Sequence, residues 1–89
     1  MVIIDYNFDN KLVQIRKKLN VSQEHLAKNS NLSQSFISQL ERGKRSPTID
    51  TLYKISKGLN IPMKNFLLYI INEISSDNLL NSIFIKFKK

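Results

Sequence analysis

VSQEHLAKNSNLSQSFISQLERG, Val21 to Gly43, contains two helix starts separated by a break that holds no glycine. Ser22 reads as an N-cap, a hydroxyl that accepts from a free N–H of the first turn, and Val21 before it pairs with Leu26 as a hydrophobic staple. The same device recurs at Ser33, where Leu32 and Ile37 form the staple. Between them KNSN, Lys28–Asn31, interrupts the apolar period with small polar residues. The stretch therefore predicts a short helix from Gln23 to about Asn29, a sharp turn, and a second helix running to Arg42. Gly43 is placed to be the left-handed C′ residue of that second helix.

Upstream, Phe8, Leu12, Ile15 and Leu19 recur at helical intervals and mark one face of a first helix, which Asn20 and Val21 end. Downstream, Lys44-Arg45-Ser46-Pro47 is a basic loop. Thr48 caps a fourth helix that buries Leu52, Ile55 and Leu59 and stops near Gly58 and Asn60. Pro62 opens a fifth, because proline fits the first turn of a helix. Phe66, Leu67, Ile70, Ile71 and Ile74 give that helix a wide apolar face. The expectation is an all-α domain of five helices over residues 10–74, with residues 1–9 as an N-terminal extension and 75–89 as a C-terminal tail. SIFIKFKK, Ser82–Lys89, alternates in a strand-like way, and VIIDYNF, Val2–Phe8, is of similar β-rich composition. The two suit a small ribbon within or between chains; a terminal helix is the alternative.

The chain of 89 residues is one domain with a small core. It has no cysteine and a single histidine, His25, which excludes disulfides and thiolate or multi-histidine metal sites. No apolar run approaches the roughly 18 residues of a membrane span, and MVIIDYNFD has two acids and no basic n-region, unlike a secretory signal. No glycine-rich phosphate loop, metal cluster or nucleophile–base pair can be assembled, so no enzyme, cofactor or small-molecule ligand is expected. A soluble cytoplasmic protein fits. The net charge of +7 is uneven. Residues 1–9 carry only Asp5 and Asp9, whereas residues 10–66 carry eleven bases against Glu24, Glu41 and Asp50. A compact basic segment between weakly charged ends is the footprint of a polyanion partner.

On a helical wheel the third helix gathers Ile37, Leu40 and Glu41 on one side. Opposite lie Ser35, Gln39 and Arg42, flanked by Gln34 and Ser38. A merely solvated helix favours Lys/Glu pairs on its outer face. Amides, hydroxyls and a guanidinium instead match base edges in a major groove: glutamine is bidentate to adenine, arginine to guanine, and serine is permissive. Two successive capped short helices are the arrangement that presents such a face to DNA.

VSQEHLAKNSNLSQSFISQLERGKRSPTIDTLYKISKGLNI resembles the lambda-repressor/Cro-like (XRE) helix-turn-helix family, the likeness covering roughly residues 10–67. The resemblance implies a five-helix fold with the third helix reading DNA. It implies base-reading roles for Gln34, Ser35, Ser38, Gln39 and Arg42. It implies backbone contacts for Gln23, Lys44, Arg45 and Ser46, with Arg45 also within reach of a groove. It further implies a largely buried ion pair of Arg16 with Glu41, which would explain an inward carboxylate that is costly when alone. Ala27 sits where the family needs a small residue for close packing. Asn20 and Asn31 stand where the family often has glycine, and asparagine is the residue best suited to replace it in the left-handed region. Pro62 stands where Ser or Thr usually caps the fifth helix. His25 replaces a more usual helix former and is expected to be exposed.

One reading helix contacts few base pairs, so the apolar surplus of Leu67, Ile70, Ile71 and Ile74 reads as a homodimer interface, the tail being a candidate addition to it. Such a dimer would set two reading helices about 34 Å apart on a near-palindromic operator. Size and layout resemble the controller proteins of restriction–modification systems. Phage Cro-like repressors, toxin–antitoxin regulators and a protein-interaction module of the same fold are the alternatives, and a prokaryotic or phage cytoplasm is the expected setting.

Overall fold

The computed structural model describes residues 7–87, with side chains described through residue 81. Among the described residues six helices follow one another: α1 Phe8–Lys18, α2 Gln23–Ser30, α3 Gln34–Glu41, α4 Ile49–Gly58, α5 Met63–Ile70 and α6 Ser76–Phe87. The helix starts are built as the capping residues dictate. Ser22 Oγ accepts from the His25 N–H at 3.0 Å and Ser33 Oγ from the Phe36 N–H at 3.0 Å. Thr48 Oγ1 accepts from the Thr51 N–H at 3.2 Å. α5 follows Pro62 with no side-chain cap, so the proline's fixed φ alone directs its start.

The first five helices end in one motif. After α1 the Asn20 N–H donates to the Lys17 carbonyl and the Val21 N–H to the Arg16 carbonyl, each at 3.0 Å. This is the paired 5→2 and 6→1 bonding of a Schellman turn. It recurs at Asn31/Leu32, Gly43/Lys44, Asn60/Ile61 and Asn72/Glu73. The left-handed residue has φ of 59° at Asn20, 58° at Asn31, 70° at Gly43, 61° at Asn60 and 68° at Asn72. Asparagine thus does glycine's work at four of the five turns. At Gly43 it would not serve as well, because a Cβ there would lie 3.0 Å from Asp9 Oδ2 at the start of α1.

The core gathers Phe8, Leu12 and Ile15 of α1, Leu26 and Ala27 of α2, Ile37 and Leu40 of α3, and Leu52, Ile55 and Leu59 of the fourth helical segment. Ile61, Phe66, Tyr69, Ile70 and Leu79 close it from the C-terminal side. Gly58, read from sequence as a stop, is the last residue of α4 and serves packing. A Cβ on it would stand 2.1 Å from Ser30 Oγ, so α2 and α4 approach through that gap.

The strand-like reading of the tail is corrected: α6 is a helix, and no strand occurs among the described residues. Ser75 Oγ accepts from the Asn78 N–H at 3.2 Å, which makes Ser75 an N-cap that the alternation farther along had obscured. Asp77 lies in the first turn, and Leu79 is buried with Leu80 packed beside it, so the segment has a core to join as a helix. A ribbon with Val2–Phe8 falls largely outside the described residues; its last residue, Phe8, is in α1. Two lysines fasten α1 to this end of the chain. Lys18 Nζ donates to Ser76 Oγ at 2.9 Å and pairs with Asp77 at 3.1 Å. Lys11 Nζ donates to the Tyr69 carbonyl at 3.1 Å and to Asn72 Oδ1. The Tyr69 hydroxyl donates back to the Lys11 carbonyl at 2.9 Å, and burial pushes its pKa up to about 12.

Candidate nucleic-acid interface

α3 is anchored from beneath. Ile37 and Leu40 are wholly buried, and one turn on, Glu41 meets Arg16 of α1. Arg16 Nε donates to Glu41 Oε2 at 2.5 Å and Nη2 to Oε1 at 3.0 Å, a bidentate pair of the stronger, orienting kind. The third guanidinium edge is used as well, Nη1 donating to the Val21 carbonyl at 2.8 Å. Gln23, first residue of α2, donates from Nε2 to Glu41 Oε1 at 2.9 Å. With side chains only 11% and 5% exposed, Arg16 and Glu41 form a nearly dry node that ties α1, α2 and α3 together. The inward carboxylate is thus fully occupied.

The opposite side of α3 carries the polar set. Gln34, Ser35 and Arg42 are exposed, and Ser38 and Gln39 are half-buried along the same side. The loop after α3 brings Lys44, Arg45 and Ser46 to the surface, while Pro47 at its end is buried. Arg45 does not extend freely. Its Nε donates to Gln39 Oε1 at 2.6 Å, and its guanidinium lies 5.4 Å from the centroid of the Phe36 ring. Gln39 Nε2 in turn faces Ser35 Oγ at 3.4 Å. Phe36 therefore belongs to this surface, although sequence reasoning left it out. An aromatic on the flank of a polar helix face, nine positions before a loop arginine, was the signal available.

Lys44 and Ser46 are exposed in the loop after α3, Gln23 is half-buried at the start of α2, and Lys17, Lys28 and His25 are exposed on α1 and α2. The residues read as a dimer interface separate into two groups. Ile70 is 0% exposed and filled into the core of its own chain, which withdraws it from any surface. Ile71 is 39% exposed, and Leu67 and Ile74 are partly buried at the rim. α5 also ends at Ile70, so Ile71 and Ile74 lie in the turn before α6 and not on a longer helix. Among the described residues no helix is long and apolar enough to cross a membrane.

The Helix-turn-helix family model matches residues 12–66. Control protein C.BamHI of Bacillus amyloliquefaciens is 44% identical over 61 residues, covering 67% of this chain and 75% of that protein. The transcriptional regulator SutR of Escherichia coli K12 is 39% identical over 56 residues, which are 63% of this chain but only 32% of SutR. Among solved structures, the wild-type restriction–modification controller protein C.Esp1396I superposes with a TM-score of 0.67 at 36% identity, covering 74% of this chain and 87% of that one. The matched span takes in α2, the turn at Asn31, α3 and its buried anchor, and the chain accordingly belongs to the helix-turn-helix family of the lambda-repressor/Cro-like (XRE) type, with restriction–modification controller proteins among its relatives.

Proposed function

We propose that the chain is a sequence-specific regulator of transcription that binds double-stranded DNA as a homodimer on a near-palindromic operator, in the role of a restriction–modification controller. The observation that carries this reading is the two-sided character of α3. Its inner side is locked by the Arg16–Glu41–Gln23 node, and its outer side offers Gln34, Ser35, Ser38, Gln39 and Arg42 to base edges. Lys44, Ser46 and Gln23 flank it where phosphates would run. Phosphate contacts set affinity and register, and the outward groups of α3 set sequence choice. The similarity to C.BamHI and C.Esp1396I supports the controller role over the broader class of regulators.

Dimerisation would use the exposed Ile71 with Leu67 and Ile74 beside it, joined to whatever α6 adds. A selection from a randomised duplex library, followed by mobility-shift titration, tests the reading. The expected result is enrichment of a two-fold site whose half-sites lie about 34 Å apart, with Ile71→Glu reducing binding to the full site far more than to a half-site. Absence of binding to any duplex at low salt would remove the reading and leave a protein-interaction module.

A further inference from the structure

We propose that Lys11 and Lys18, both on α1, are positioning residues for the dimer: they hold the turn between α5 and α6 from two sides, so that Ile71 and Ile74 keep one orientation relative to the reading helix. The inference rests on the reading of Ile71 and Ile74 as dimer contacts. Those residues lie between α5, which ends at Ile70, and α6, which starts at Ser76. A contact face carried on a turn is only as rigid as the bonds that hold the turn. Backbone bonds close it from within, the Asn72 N–H donating to the Tyr69 carbonyl at 3.2 Å and the Glu73 N–H to the Leu68 carbonyl at 2.8 Å. These bonds set its local shape but not its placement against the rest of the domain.

Placement comes from α1. Lys11 and Lys18 are separated by close to two helical turns, so they share one side of that helix about 10 Å apart. At the α5 end, Lys11 Nζ donates to the Tyr69 carbonyl at 3.1 Å and to Asn72 Oδ1, and it lies 5.2 Å from the centroid of the Tyr69 ring. At the α6 end, Lys18 Nζ donates to Ser76 Oγ at 2.9 Å. Ser76 is buried, whereas Asp77, the second partner of Lys18, is exposed and adds little. Asn72 thus has a use beyond its turn. Its left-handed φ of 68° suits glycine, but glycine has no Oδ1 to receive Lys11. Arg16, on another side of α1, holds α3 through Glu41. One helix therefore links the reading helix to the turn, and that link sets the distance and relative angle at which two half-sites must lie.

Mobility-shift titrations on the selected operator, on an isolated half-site, and on operators with one base pair added or removed at the centre test this. One base pair moves a half-site by about 3.4 Å and turns it by roughly 35°, which a rigid dimer cannot follow. The wild-type chain is expected to discriminate against both altered spacings. Lys11→Met and Asn72→Gly should each cut that discrimination by about tenfold, with affinity for the half-site unchanged. Asn72→Asp keeps an acceptor and tolerates the left-handed φ, so it should keep the wild-type preference. Lys11→Met combined with Asn72→Gly should lose little more than the larger single loss, because the two share one contact. Lys11→Met combined with Lys18→Met should lose more than either alone. If Lys11→Met lowers the half-site and every full site by one factor, the lysine serves stability or a phosphate and the proposal fails, although the dimer reading stands. A spacing preference unchanged in both Lys11→Met and Asn72→Gly would also overturn it. Equal affinity of the wild-type chain for the half-site and the full operator would remove the dimer itself, and the clamp with it.

Discussion

Glu41→Ala removes the acceptor of three hydrogen bonds at once, two from Arg16 and one from Gln23. The guanidinium left behind is 11% exposed and keeps only the Val21 carbonyl as partner. Removing one member of a buried pair costs about 3–5 kcal/mol, chiefly because the other charge stays behind uncompensated. The slight exposure of Arg16 admits water to part of its edge, which places the expectation at the lower end, about 3 kcal/mol. For a domain of this size each kcal/mol moves Tm by about 4–8 °C, so the melt should fall by roughly 12–24 °C. Urea unfolding followed by far-ultraviolet circular dichroism measures the change, with the slope m expected to hold and the midpoint to drop.

Arg16→Met combined with Glu41→Met separates the cause. With both charges gone, most of the lost stability should return, because hydrophobic replacement of a buried pair is close to neutral. DNA affinity should not return with it, since the Gln23 amide has lost the carboxylate that aims it. A cost below about 1 kcal/mol for Glu41→Ala, typical of an exposed pair, would refute the account of a dry node. So would a double variant no more stable than the single one.

Lys44→Ala should weaken binding to every duplex alike and flatten the slope of log K against log salt by about one unit; a change in base preference, read by competition titration, would contradict its place at the phosphates. Gly58→Ala should lower the thermal midpoint despite its better helix propensity, because the new methyl meets Ser30 Oγ and overpacking costs about 1–3 kcal/mol. Combination with Ser30→Ala, which removes a buried hydroxyl lacking a hydrogen-bond partner, should recover part of that loss. Tyr69 holds its proton to about 12 when folded, above the ordinary value of 10.0, so its contribution is complete below pH 10 and is lost as pH rises toward 12. Stability should therefore fall by about 2–3 kcal/mol across that window, and Tyr69→Phe should flatten the decline in pH-resolved denaturation curves.

Much of this molecule was legible because its signals are local. Ser22, Ser33 and Thr48 announce helix starts by chemistry that needs no knowledge of the fold, and the apolar period between them names the core. Asn20, Asn31 and Gly43 mark the ends by the same logic, the left-handed region admitting few residues. The readings that changed depend on what lies across space. Ile70 and Ile71 are adjacent and equally apolar, and only the packing of α5 and α6 over the core decides that one is buried and the other exposed. Ser75 carries a cap signal as plain as that of Ser33, but the alternation from Ser82 onward points the other way. The approach of Arg45 to Gln39 was not legible, because it depends on how the loop after α3 folds back along that helix.

The chemistry of α3 also explains why so short a helix can carry an outer face with almost no stabilising role. Eight residues are too few for an independently stable helix. Ile37 and Leu40 in the core, the Ser33 cap, the Gly43 turn and the Glu41 node hold it in place from below and from both ends. Gln34, Ser35 and Arg42 are thereby relieved of any part in folding, and under the proposed function selection on them can answer to DNA alone. Gln39 is the exception on that face. It is half-buried and bonded to Arg45 of the loop that follows the helix, so a substitution at either position leaves a polar group of the other without this partner.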